Sequence, residues 1–137
     1  MLAWGVSNVV LRISVETGND IVLKQSREQL QTRKPWFSRL DRIWRETDFM
    51  QTVVSLLPPG VIPHVLFEDR ENYLFSMEAL EADHTVWKAE LLAGRADPQI
   101  ARTAGEYLAT IHRETAFNEK LKKRWGDNEV FLQLRVD

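Results

Sequence analysis

Apolar and polar residues alternate at the start of the chain. Val9, Leu11, Ile13 and Val15 fall on one side, and Val10, Arg12, Ser14 and Glu16 on the other. A period of two is that of a half-buried strand. Thr17-Gly18-Asn19-Asp20 interrupts it with residues that tolerate positive φ, so a tight reversal is expected there. Ile21-Val22-Leu23-Lys24-Gln25 supplies a second strand, with Val22 and Lys24 on one face. The period then changes. Leu40, Ile43, Trp44, Met50, Val54 and Leu57 recur at helical spacing, with Ser38 as the expected cap and Pro58-Pro59-Gly60 as the stop. Residues 62–68 and 73–78 read as two more strands joined by the turn Asp69-Arg70-Glu71-Asn72. A short helix is expected over 85–93, stopped by Gly94. A longer one opens at Asp97-Pro98 and carries Ile100, Ala104, Leu108 and Ile111 on one stripe. Lys120 to Arg124 reads as a solvated helix face. Residues 130–136 read as a last, strand-like apolar run.

Composition narrows the class. The chain has 137 residues, 44% of them hydrophobic and 28% charged, enough for one packed core. No apolar run approaches the roughly 18 residues of a membrane span, and no signal peptide is visible. With no cysteine, disulfides and Cys-based metal sites are excluded, which suits a cytoplasmic protein. The net charge of −2 gives no global pull towards nucleic acid. The charge is uneven, however. The first 46 residues hold eight Lys/Arg and five Asp/Glu, and the remainder ten and fifteen. A basic first part fits a phosphate site, and chance also produces such a split.

Candidate chemistry lies in that basic part. An inward Val22-x-Lys24 can cover a flat base with an apolar residue while the ammonium reaches phosphate oxygens. A lone strand Lys is more commonly a solvated edge charge. What changes the picture is Glu46, on the helix that follows, where it can pair with Lys24 and hold it forward. Gly5 lets backbone approach a phosphate closely, and Ser7 and Asn8 offer a hydroxyl and an amide. Arg27, Arg33 and Lys34 either face phosphates or line a solvated loop, and Trp36 reads as a packing anchor. His64 has no acidic or His neighbours at ligand spacing and reads as a surface residue. Hairpin, strand Lys, helix Glu and two more strands, in that order, form the layout of a kinase small lobe.

The order resembles the aminoglycoside phosphotransferase and choline kinase family, which has a protein-kinase-like fold, and most closely its methylthioribose kinase-like members. The resemblance rests on Gly5-Val6-Ser7-Asn8-Val9-Val10, Val22-Leu23-Lys24-Gln25, Asp41-Arg42 with Glu46, Val61-Ile62-Pro63 and Met77-Glu78-Ala79-Leu80. It continues through Tyr107-Leu108-Ala109-Thr110-Ile111-His112 and Phe131-Leu132-Gln133-Leu134-Arg135. It implies an α+β fold. Residues 1–80 would be a small, nucleotide-binding lobe with its hinge, and 81–137 the first helices of a truncated large lobe. It implies an ATP-dependent small-molecule O-phosphotransferase using ATP and Mg, with a small hydroxyl-bearing acceptor and no role for nucleic acid or membrane. Val22 would cover the adenine and Met77 would sit behind it. The Glu78 carbonyl and Leu80 N–H would read its edge, and Lys24, held by Glu46, would take the phosphates beneath Gly5, Ser7 and Asn8.

Some of the family's pattern is missing. The resemblance implies a longer strand before Gly5. The catalytic loop of the family reads His-Gly-Asp with an Asn five residues after the Asp, whereas Trp125 precedes Gly126-Asp127 here and Leu132 occupies the later position. No segment offers a catalytic Asp or acidic magnesium ligands, so the chain is expected to be inactive by itself. A bare large-lobe face would then favour self-association. A non-catalytic α+β binding or regulatory module, or a degenerate kinase piece, remains open.

Overall fold

The computed structural model describes residues 5–81 and 83–135 of the chain. The N-terminal part is a four-stranded antiparallel sheet: β1 (Asn8–Ile13), β2 (Ile21–Ser26), β3 (Val65–Asp69) and β4 (Leu74–Glu78), in the order β1-β2-β4-β3. Gly18, at φ 121°, makes the β1–β2 reversal possible. Val10 lies opposite Lys24 and Arg12 opposite Val22 on β1, while Lys24 faces Phe75 and Val22 faces Met77 on β4. Directly opposed residues share a face. Val10, Arg12, Val22, Lys24, Phe75 and Met77 therefore line one side of the sheet. The extra strand expected before Gly5 lies outside the described residues.

Between the two hairpins run a 3-10 turn, Leu40–Arg42, and helix α1, Ile43–Val53. Ile43, Thr47 and Met50 are buried at helical spacing. Ile43 and Met50 join Phe75, which is wholly buried, in a core flanked by Trp44, Ile62, Val65, Tyr73 and Met77. The helix thus lies on the face that carries Lys24. Ser38 does not cap it, contrary to expectation. The 3-10 turn satisfies the first orphan N–H groups, and the Ser38 hydroxyl instead lies 3.2 Å from Gln133 Oε1.

Four helices follow: α2 (Trp87–Leu92), α3 (Pro98–Thr115), α4 (Glu119–Trp125) and α5 (Glu129–Arg135). Gly94, at φ 75°, follows the end of α2. Asp97 caps α3 by accepting from Gln99 N at 2.8 Å, with Pro98 in the first turn, and no residue of α3 is buried. The expected strand over 130–136 is a helix as far as it is described; residue 136 lies outside the described part. Asp127 Oδ1 accepts from Glu129 N at 2.8 Å, a helix-starting contact, and a run this short does not fix strand over helix by its apolar pattern. α4 and α5 return to α1. Trp125 Nε1 donates to Asp48 Oδ2 at 2.8 Å, and Gln133 Oε1 accepts from the Ser38 hydroxyl and Arg39 N, each at 3.2 Å. No described helix is long and apolar enough to cross a membrane.

Candidate functional site

Lys24 reaches the middle of the sheet face because β2 is flanked by partners on both sides. Its ammonium lies 5.8 Å from the centroid of the Phe75 ring and is paired with Glu46 Oε1. The Lys24 side chain is only 17% exposed and that of Glu46 37%. Glu46 stands in the first turn of α1, where the helix dipole favours a carboxylate. The shared face of Val22 and Lys24, and the pairing of Lys24 with Glu46, are both as the sequence led us to expect. Val22 is buried and directly opposite Met77, so the two form an apolar wall beside the ammonium.

The segment after β4 is tied to the first hairpin. Ala79 N donates to Asp20 O at 3.2 Å. Arg12 Nη1 donates to Leu80 O at 3.0 Å while its Nε donates to Asp20 Oδ2 at 2.6 Å. That guanidinium contact holds the Asp20 carboxyl below the usual range. Glu78 turns its side chain outward. One oxygen accepts from the His64 backbone N–H and meets His64 Nδ1, both at 2.9 Å, and the backbone contact first, then the ring, lowers its pKa. His64 is therefore a partner of Glu78, and among the described residues no group of three or more His, Asp or Glu residues has the arrangement to hold a metal ion.

At the opposite end of the hairpin lies the 5–8 segment. Gly5 has ordinary backbone geometry, and a Cβ there would meet only the Asn8 carbonyl at 3.4 Å and the Val10 side chain at 3.8 Å. The fold itself therefore does not demand glycine at this position. Val6 O accepts from Gln31 N at 2.8 Å and Ser7 O from Arg27 N at 3.2 Å. Asn8 faces Ser26 across the ladder. Asn8 Oδ1, Ser26 Oγ and Arg27 Nε are buried without a hydrogen-bond partner. Three such atoms at the mouth of one hairpin are unusual, because buried polar groups are nearly always paired.

Arg42 belongs to the same neighbourhood and received no role from its sequence. It is 7% exposed. Its guanidinium donates to Ser7 O (2.5 Å), Arg27 O (2.7 Å), Arg39 O (2.5 Å) and Ser38 O (3.2 Å). Burial lowers its pKa, with Asp41 acting in the opposite direction. The Arg12–Asp20–Leu80 link was missed too, since its acceptors are set by register. Asp127, whose motif was rejected as a catalytic loop, caps α5 and accepts from Arg45 Nη2 at 2.6 Å.

No protein-family model matches the chain. The methylthioribose kinase of Pectobacterium carotovorum subsp. carotovorum (strain PC1) is 32% identical over 118 residues, 84% of this chain and 29% of the relative. The chain is similar to the methylthioribose kinases. The corresponding enzyme of Pectobacterium atrosepticum is 33% identical over 107 residues, 77% of this chain and 26% of the relative. That of Yersinia pestis (strain Pestoides F) is 32% identical over the same shares. The chain thus spans less than a third of the methylthioribose kinases it matches. Its four-stranded sheet, crossing helix and following helices agree with a kinase-like small lobe and the helices after it.

Proposed function

We propose that the chain is the nucleotide-gripping part of an ATP-dependent small-molecule O-phosphotransferase of the methylthioribose kinase type, working in the cytoplasm. Residues 1–80 would be the small lobe with its hinge, and 81–137 the start of a large lobe. The observation that carries this reading is the Lys24–Glu46 pair. It joins the second strand to the crossing helix on the face that also holds Val22 and Met77.

The roles follow from the layout. Ser26, beside the 5–8 segment, and Ile21, which faces Glu78, are the two ends of the six-residue β2, five residue steps apart. At about 3.3 Å per residue the two ends lie roughly 17 Å apart. The apolar Val22–Met77 wall and the backbone of Glu78 and Leu80 suit a flat base at one end. Lys24, Gly5, Ser7 and Asn8 lie towards the other, where phosphates need charge and close backbone. The unpaired Arg27 Nε and Ser26 hydroxyl add donors there. ATP supplies the phosphoryl group, and Lys24 holds and orients its oxygens. Magnesium would draw its ligands from outside the described residues. A sugar-like hydroxyl is the acceptor suggested by the relatives' name.

The test is direct. The protein carrying this chain is incubated with ATP, magnesium and methylthioribose, and the products are followed by mass spectrometry. A methylthioribose product heavier by one phosphoryl group, formed with ADP, is expected. ATP binding without transfer to any sugar hydroxyl would contradict the reaction class.

A further inference from the structure

We infer that Arg42 is a positioning residue that locks the 5–8 segment and the Glu46 helix into one unit; this rests on the nucleotide reading above. The guanidinium gathers carbonyl oxygens from three separate parts of the chain: Ser7 before β1, Arg27 after β2, and Ser38 and Arg39 at the approach to α1. Among the described residues no carboxylate pairs with it. The carboxylate of the adjacent Asp41 is taken by Arg39, through Nε at 3.0 Å and Nη2 at 2.5 Å. A buried cation spent wholly on backbone carbonyls fixes positions rather than neutralising a partner.

The placement gives this clamp a target. Ser7 lies next to Asn8, the first residue of β1, and Glu46 is one helical turn beyond Arg42. A displacement of α1 therefore carries the 5–8 segment with it, and the Lys24–Glu46 pair moves in step. The neighbouring polar atoms Asn8 Oδ1, Ser26 Oγ and Arg27 Nε make no hydrogen bonds, so they add nothing to the clamp. Only a planar fork of five N–H donors can meet four carbonyls arranged in this way. A lysine, with three donors on one nitrogen, loses part of the set while keeping the charge.

The experiment compares Arg42→Lys and Arg42→Met with the unmodified protein carrying this chain. Hydrogen exchange is read at the Arg27 and Gln31 amides, which donate to Ser7 O and Val6 O. At least tenfold faster exchange is expected there in both variants, with amides of the β2–β4 ladder changed less than twofold. In steady-state kinetics the KM for ATP should rise at least fivefold while the KM for the acceptor stays within twofold. Unchanged exchange at Arg27 and Gln31 overturns the clamp. Equal acceleration throughout the sheet, or an equal rise in both KM values, reduces Arg42 to a general fold residue and also overturns it. An unmodified protein that consumes no ATP contradicts the kinase reading instead, and the exchange comparison still decides whether Arg42 holds the segment.

Discussion

Removing the carboxylate of Glu46 separates organisation from stability. In Glu46→Gln the shape is kept and the charge is lost, so Lys24 loses its partner. An exposed ion pair contributes about 0–1 kcal/mol, whereas breaking a buried one costs about 3–5 kcal/mol. With Lys24 17% and Glu46 37% exposed, solvent screens the carboxylate end, and the pair belongs near the exposed limit. We expect a loss of about 1 kcal/mol, which lowers Tm by roughly 3–6 °C for a chain of this size. The functional cost should be larger. An ammonium no longer held by Glu46 samples other rotamers, and turnover should fall at least tenfold, about 1.4 kcal/mol of transition-state energy. The assay is thermal melting of the variant alongside turnover at saturating ATP. A fall in Tm equivalent to 3 kcal/mol or more with unchanged turnover would show the pair to be structural and refute the reasoning.

Phe75 is wholly buried in the α1 core, so Phe75→Ala should cost about 3–5 kcal/mol and lower Tm by roughly 10–30 °C, measured by circular dichroism; a change under 1 kcal/mol would contradict the packing. Asp20, Asp69, Glu78 and Glu90 all have lowered pKa values, held down first by Arg12, Asn72, the His64 backbone and Arg95 respectively. Their contribution is present above the ordinary values of 3.8 to 4.5 and is lost as pH falls through the lower native ones, so Tm should drop steeply below pH 4 and less steeply in Glu78→Gln. Gln133→Ala deletes the acceptor of Ser38 and Arg39, and α5 amides should exchange severalfold faster, consistent with a loss of about 1 kcal/mol; unaltered α5 protection would show that Gln133 does not hold it.

Most of the sheet was legible because its signals are local. Alternation gave both strands of the first hairpin, Gly18 gave the turn, and period two put Val22 and Lys24 on one face. The Lys24–Glu46 pair was legible because helical spacing sets which side of α1 faces the sheet. What escaped depends on distant partners. Ser38 was expected to cap α1, but Gln133 lies 95 positions away in sequence and takes its hydroxyl. The run at the C-terminal end is too short for periodicity to tell strand from helix, and Asp127 decides it. Arg42 escaped because its acceptors are carbonyls, which every residue carries and no sequence pattern marks.

The central claim is that Lys24 holds phosphate oxygens rather than merely closing the sheet face. Turnover of Lys24→Ala, measured in the protein carrying this chain with ATP and methylthioribose, tests it most directly. A fall of at least a hundredfold in kcat, about 2.7 kcal/mol, with ATP affinity changed far less, is the predicted result. Turnover within about twofold of the unmodified protein, under roughly 0.5 kcal/mol, would contradict it.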